Sequence, residues 1–470
     1  MKGQIQKRKN VQIQENFAVI QQTAESPPFV NYSHTMIFPT MNHHHSPMFE
    51  PVNNFDEIAT EQDAENEFND NFPLCLFKLS RRSHQFVDPD YYRMGMFLST
   101  YMIDGRAVNL KPRGLLNQNN HCYFNSILQD LITCPPLYNL LNSLSKNISS
   151  NESMTSTPVT FGMCRFVEQF FCLPSYFLTK DGRVDTNSKN DQKVSINTGI
   201  PFGPTWIYKT LHNMRTDWID ARQQDAEECL GFLLNGLNDE MFELIELVEY
   251  YIKDEKPLVD SALSNDSNNV WNIMESKNKR HPTRRIDFTN IPISDIFGGQ
   301  LNSSIHRNLD HITENTQPFL TLPLNIEKVK TVRKALEVLV SKNISDGVTS
   351  SKTNEKVEAW EQITLCKLPV ILILHPKFFK YSNDRYTKII KAFDFEFDLK
   401  FDSTLISSKT QSPTEKHYKL FAVVYHEGKN ANIGHYVIDA FHVGYNCWIR
   451  YDDSSVKTVQ KEDVLKPQGT

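Results

Sequence analysis

The stretch from 223 to 248, "QQDAEECLGFLLNGLNDEMFELIELV", sets Ala226, Leu230, Leu233, Leu237, Met241 and Leu244 on one stripe. Apolar residues at that three-to-four spacing specify a long amphipathic helix with one face committed to a core. The same period governs "CYFNSILQDLIT" from position 122, where Ile127, Leu128, Leu131 and Ile132 form an apolar face that stops at Pro135 and Pro136. The second proline can open the next helix, "PLYNLLNSL". Further on the texture changes: "LPVILILHPKFF", "HYKLFAVVYHEG", "GHYVIDAFHV" and "CWIRYDD" are short β-branched or aromatic runs bounded by turn residues, which is a strand pattern. Helices come first and a sheet follows, so the fold class is α+β.

A chain of 470 residues with 39% hydrophobic content can bury a large core. Its polar segments divide it. Residues 1–73 are rich in Gln, Asn, Pro and charge without a sustained apolar period and are expected to be disordered. The triplet His43, His44, His45 within them reads as part of a biased polar tract rather than a metal site. Apolar residues return over 74–105, a short docking or linker segment, and the main domain runs from 106 to 466. Two polar inserts, near 145–158 and 254–284, read as surface loops, and there is no internal repeat.

With 50 Lys and Arg against 56 Asp and Glu, the net charge of −6 and the mixed signs argue against nucleic acid as a partner. The longest apolar run, "LPVILIL", falls far short of the roughly 18 residues a membrane helix needs. Eight cysteines are scattered without a CxxC pair, and the first residues carry no basic-then-apolar signal segment, so reduced intracellular thiols are expected.

Cys122 lies between a run of amides and the apolar stretch that opens a helix. A cysteine there is either a small buried core residue or a nucleophile, because the unpaired N–H groups of a first helical turn favour a thiolate. A nucleophile needs a histidine base and a group to orient it. "HEGKNANIGHYVIDAF" supplies two histidines around a Gly/Asn-rich turn, and "WIRYDD" ends a strand with two carboxylates. Each element alone also has a structural explanation: a strand histidine in a core, a pair of aspartates in a solvated turn.

"GLLNQNNHCYFNSILQ" resembles the cysteine box of ubiquitin-specific proteases, usually GLxNxGNTCYxNSxLQ. "QQDAEECLGFLL" is similar to their QQDAxEFLxxLL helix, and "YKLFAVVYHEG", "GHYVIDAF" and "WIRYDDSSV" to their histidine box. The resemblance runs from about 110 to 466 and implies a papain-like thumb, palm and fingers fold that hydrolyses the bond after the C-terminal glycine of ubiquitin. It implies Cys122 as nucleophile, His435 as general base, Asp452 as its orienting acid with Asp453 able to support that role, and Asn117 as oxyanion donor. His426 is then the structural histidine. Asp225 and Glu228 match positions that contact the arginine-bearing ubiquitin tail, although acidic residues also favour the start of their own helix.

The departures from the family pattern carry expectations of their own. The places of the usual zinc-binding CxxC pairs read "NSSIHRNLD" and "SKTNEKVE", so no metal or other cofactor is expected. Asn119 stands for a glycine, His121 for the threonine before the nucleophile, where it is placed to perturb the thiol, and "HPKFF" for HLKRF. Asparagine is the most tolerable non-glycine residue if position 119 needs a positive φ. The family's last apolar strand is not found after "EDVLKPQGT", which predicts an open edge in the palm sheet. The expected partners are ubiquitin and ubiquitinated proteins, with further protein partners for the disordered N-terminus, in the cytoplasm and also the nucleus. The alternatives are a ubiquitin-binding scaffold that has lost turnover, and an interaction protein working through its first hundred residues.

Overall fold

The apolar stripe folds as α6 (Ala226–Asp254), and its six residues are all at most 1% exposed. In this computed structural model the described residues are 14–22, 89–117, 120–148, 156–174, 196–214, 225–254, 283–284, 291–307, 312–349, 356–382, 385–402, 405–406, 416–430 and 433–465. The triplet His43 to His45, Asn119, residues 149–155 of the first polar insert and 255–282 of the second lie outside them. α1 (Pro89–Ser99), α2 (Cys122–Thr133), α4 (Pro158–Val167) and α7 (Pro292–Phe297) pack on α6, while α3 (Pro135–Ser145) and α5 (Thr205–Met214) pack on α4. The 74–105 stretch thus contains a helix docked on α6. Cys134 ends α2 and leads into α3, whose first residue is Pro135; a proline costs little there because the N–H it lacks would have no helical partner.

The main sheet runs β17 (Ser455–Val459), β16 (Cys447–Asp452), β15 (Ile433–His442), β14 (Lys416–Asn430), β1 (Gln14–Gln22), β10 (Ile371–Lys377), β7 (Thr321–Asn325), with β13 (Asp398–Phe401) also paired to β14. All pairs are antiparallel except β10 with β7. Alternate residues serve two cores. Ile371, Ile373, Val424, Ile438 and Ile449 join the helical core, and Leu372, Leu374, Val423, Val437 and Trp448 face the other side with α8 (Val332–Leu339). A sheet covered on both faces is why these strands read as continuous apolar runs.

Two expectations are corrected here. Residues 14–22, placed by composition in a disordered region, form β1, a nine-residue strand hydrogen-bonded on both sides. The run "FAVI" supplies the β-branched and aromatic residues of a strand, and its polar flanks conceal it. The open edge expected in the palm sheet does not fall between β10 and β14, which among the described residues are both paired with this strand; the sheet ends at β17 and β7.

A second sheet has the order β4 (Thr283–Arg284), β6 (Thr313–Phe319), β5 (Gly299–Arg307), β9 (Lys356–Lys367), β8 (Lys342–Thr349). Asn302–Arg307 of the first cysteine-free stretch pair with β9 there, and 308–310 and 351–355 lie outside the described residues. The His306 ring stacks on Trp360 at 3.6 Å, and the Lys342 ammonium lies 4.2 Å from the centre of the same ring. Two small pairs, β2 (Arg113–Leu115) with β3 (Gly199–Phe202) and β11 (Phe379–Ser382) with β12 (Arg385–Lys388), complete the strands named here. After β17 the chain forms α9 (Lys461–Leu465), where the Val464 carbonyl accepts the hydroxyl hydrogen of the buried Tyr425.

Candidate active site

Cys122 is the first residue of α2, and its side chain is buried, with 4% of the residue exposed. The chain enters the helix through Asn120, which has φ 63°, a left-handed conformation that asparagine tolerates better than most residues. Asn119, for which a positive φ was considered, lies outside the described residues. His121 precedes the helix; its N–H donates to Asn117 Oδ1 at 2.9 Å and its ring stacks on Tyr208 at 4.6 Å.

β15 and β16 bring the histidine and the acid to this helix start. His435 hydrogen-bonds Cys122, and its Nε2 lies 2.7 Å from Asp452 Oδ1. The bond to Cys122 first, and the Asp452 carboxylate after it, push the imidazole up from the usual range to about 10, against the opposing effect of partial burial. The protonated ring is thus favoured beside a sulfur at a helix N-terminus. Further along the same two strands a buried bidentate contact clamps β15 to β16: Arg450 Nε and Nη2 donate to the two Asp439 oxygens at 2.7 and 2.6 Å.

Asp453 follows in the turn to β17, with φ 49°. Its Oδ2 is 4.0 Å from His435 Nε2, while it accepts from Asn117 Nδ2 at 2.9 Å, and its Oδ1 accepts from Asn125 Nδ2 at 2.8 Å. The Tyr208 hydroxyl donates to Asn125 Oδ1 at 2.5 Å. The Leu115 N–H binds the Asp453 carbonyl at 2.9 Å, and Gly114 lies so close to Ser454 that a Cβ would collide with its carbonyl. That contact explains the glycine. Asn125 and Tyr208 were not singled out from sequence; Asn125 falls within the quoted cysteine box, but nothing in "TWIYKTL" marks Tyr208.

Asp225 and Glu228 lie at the start of α6. Asp225 Oδ1 accepts the Glu227 N–H at 2.8 Å, a helix-capping contact, and burial pushes its carboxyl up to about 6. The intervening Glu227, also not singled out, accepts from the Thr321 hydroxyl at 3.1 Å and lies 3.8 Å from His375 Nδ1. Burial holds His375 neutral, down to about 3.

Among the described residues, His435, Asp452 and Asp453 form the group with metal-ligand chemistry, their ligand atoms within 4.8 Å of one another. Each is engaged otherwise, Asp452 with His435 and both Asp453 oxygens with amides. What the arrangement can do chemically is hold a sulfur nucleophile beside an imidazolium, orient that ring with a carboxylate, and present a side-chain amide next to the sulfur's helix.

Comparison with known proteins places this geometry. The model of the ubiquitin carboxyl-terminal hydrolase family matches residues 113–470. Ubiquitin carboxyl-terminal hydrolase 10-B of Xenopus laevis is 36% identical over 397 residues, covering 81% of this chain and 49% of that one. Ubiquitin carboxyl-terminal hydrolase 10 of Rattus norvegicus is 35% identical over 403 residues, covering 81% and 50%. The chain spans about half the length of these curated relatives. Among solved structures, the SAGA Ubp8/Sgf11/Sus1/Sgf73 DUB module bound to ubiquitin aldehyde is similar with a TM-score of 0.54 at 20% identity, covering 79% of this chain and 70% of that one, which supports the papain-like α+β fold. A thiol, an imidazole and a carboxylate gathered from the three boxes, in a domain matched over most of its length, leave one assignment: the chain belongs to the ubiquitin carboxyl-terminal hydrolase family.

Proposed function

We propose that this chain is a thiol-dependent deubiquitinase acting on the bond after the C-terminal glycine of ubiquitin in protein conjugates. The observation that carries the reading is His435 hydrogen-bonded to both Cys122 and Asp452. The Cys122 sulfur attacks the carbonyl carbon of that glycine, forming a C–S bond and a tetrahedral oxyanion. Asn117 Nδ2, which keeps a second N–H besides the one given to Asp453, donates to that oxygen, a contribution of roughly 3 kcal/mol for donors of this kind. His435, as imidazolium, gives its proton to the leaving amine as the C–N bond breaks. Water then attacks the thioester, His435 takes a proton from it, and the thiolate leaves with ubiquitin's carboxylate released. Asp452 keeps the ring aimed throughout.

Ubiquitin and ubiquitinated proteins are the partners on this reading, and Asp225, Glu227 and Glu228 gather carboxylates at the start of α6 that suit an arginine-bearing tail. The test is ubiquitin carrying a thiol-reactive group at its C-terminus, beside ubiquitin with a C-terminal fluorophore. An adduct that forms with the native chain and is lost in Cys122→Ala, together with fluorophore release, supports the reading. Ubiquitin binding with neither adduct nor release would turn it to the scaffold alternative.

A further inference from the structure

Lys388, the last residue of β12, reaches across to β14. Its ammonium meets His426 Nδ1 at 2.8 Å, the His426 carbonyl at 3.1 Å and the Gly428 carbonyl at 3.0 Å. An ammonium has three N–H donors and accepts nothing, so the three contacts match its capacity. The two carbonyls flank Glu427, and Glu427 is the residue paired with His435 across β14 and β15. Lys388 therefore fixes the backbone opposite the base.

It also fixes a ring. Because Nδ1 of His426 accepts from the ammonium, the proton of the neutral imidazole belongs on Nε2. Burial first, then the charge of Lys388, holds His426 neutral, down to about 3. The imidazole is wholly buried; it lies 4.7 Å from the Tyr436 ring and directly against Gly434, where a Cβ would collide with its Nε2. Gly434 and Tyr436 are the neighbours of His435 in sequence, so one locked ring abuts the residue on each side of it.

We propose that Lys388 and His426 act together as positioning residues for His435: the lysine locks the His426 ring and the carbonyls beside Glu427, and the locked ring sets the backbone from Gly434 to Tyr436 that aims His435 at Cys122. This rests on the reading of His435 as the base for Cys122. Misaiming by an ångström or less is costly to a thiolate–imidazolium pair, whereas ubiquitin binding elsewhere on the domain is left intact.

The experiment uses the full chain and its Lys388→Met and Lys388→Gln variants. The rate of alkylation of Cys122 by iodoacetamide is followed against pH by peptide mass spectrometry, which separates it from the other thiols. Thermal melting reports folding, and kcat and KM are measured with ubiquitin bearing a C-terminal fluorophore. In the native chain Cys122 should be alkylated faster than in a His435→Ala chain, as for a sulfur paired with an imidazole. In the variants the rate at pH 6 should fall at least about tenfold. The kcat should fall comparably, with KM within about threefold. A folded variant of either kind with an unchanged alkylation profile overturns the proposal, and so does a loss that only tracks the folded fraction. Alkylation needs neither ubiquitin nor turnover, so a native Cys122 alkylated no faster than in a His435→Ala chain would instead overturn the underlying role of His435.

Discussion

Asn117 Nδ2 donates to Asp453 Oδ2 at 2.9 Å, joining residues 336 positions apart. The second oxygen of the same carboxylate takes Asn125, so Asp453 orients two amides of the cysteine segment, while Asp452 faces His435. The division follows from the backbone. β16 ends at Asp452, and the turn conformation at Asp453 swings its carboxylate away from the strand register.

Asn117 and Asp453 should therefore behave as one unit. Asn117→Ala is expected to lower kcat by about 10²-fold, the usual cost of losing one oxyanion donor. Asp453→Ala should lower it substantially in the native background but by little more than about twofold when Asn117 is already Ala, because the oxyanion donor it orients is gone and its other amide partner, Asn125, is still held by Tyr208. Asp452→Ala should give the larger single loss of the two aspartates. Additive losses in a double-mutant cycle on fluorophore release would separate Asn117 from Asp453, and a larger loss at Asp453 would reassign the acid.

A pH signature follows from His435. Its folded-state value of about 10 lies above the ordinary 6.5 that the unfolded chain regains, so the folded form binds the proton more tightly. The associated stability is fully present below about 6.5 and is lost as pH rises toward 10. The side chain is 36% exposed, so solvent screening keeps the effect small and its slope is the test. In chemical denaturation, the stability gap between the native chain and His435→Ala should be widest near pH 6 and shrink through pH 9. A gap that grows with pH would mean the ring is not held as the imidazolium.

Arg450 and Asp439 make a buried pair whose removal should be felt at the site. Deleting one partner leaves an uncompensated buried charge, at a cost of about 3–5 kcal/mol. Asp439→Ala should lower Tm clearly, and Asp439→Ala combined with Arg450→Met should recover part of it. Equal destabilisation in the single and double variants would show that the loss is of packing rather than of charge pairing.

How far the sequence disclosed this structure depends on the range of each signal. The α6 stripe and the strand runs from 371 onward are local periodicities, and each appears where its period places it. Cys122, His435, Asp452, Asn117 and Asp453 come from separated motifs, and the structure brings them together. Asp225 is read as a ubiquitin-tail contact that can also favour its own helix start, and its contact with the Glu227 N–H is of the second kind. What was illegible is non-local. Tyr208, Lys388 and Gly114 matter through partners 83, 38 and hundreds of positions away, and nothing in their neighbourhoods announces those partners. β1 was hidden for the same reason, since an apolar run of four in polar surroundings becomes a strand only when β10 and β14 flank it.

That strand yields the last prediction. Gln14–Gln22 fills the place between β10 and β14, so its loss would leave two long strands with unpaired N–H and C=O groups in the middle of the sheet. Each lost backbone hydrogen bond is worth about 0.5–1.5 kcal/mol net, which sums to several kcal/mol. Deleting residues 1–23 should then lower Tm by roughly 5–10 °C. Activity should fall with it, because β14 holds β15 and with it His435. The register can be read directly. Ala18 is opposite Val423, so Ala18→Cys with Val423→Cys should form a disulfide, the Cα spacing of antiparallel partners lying within disulfide reach. Ala18→Cys with Val437→Cys, which places the second thiol on β15 beyond β14, should not. If the chain lacking residues 1–23 melts and turns over like the native one, and the full-length chain with Ala18→Cys and Val423→Cys forms no cross-link, the sheet is complete without this strand.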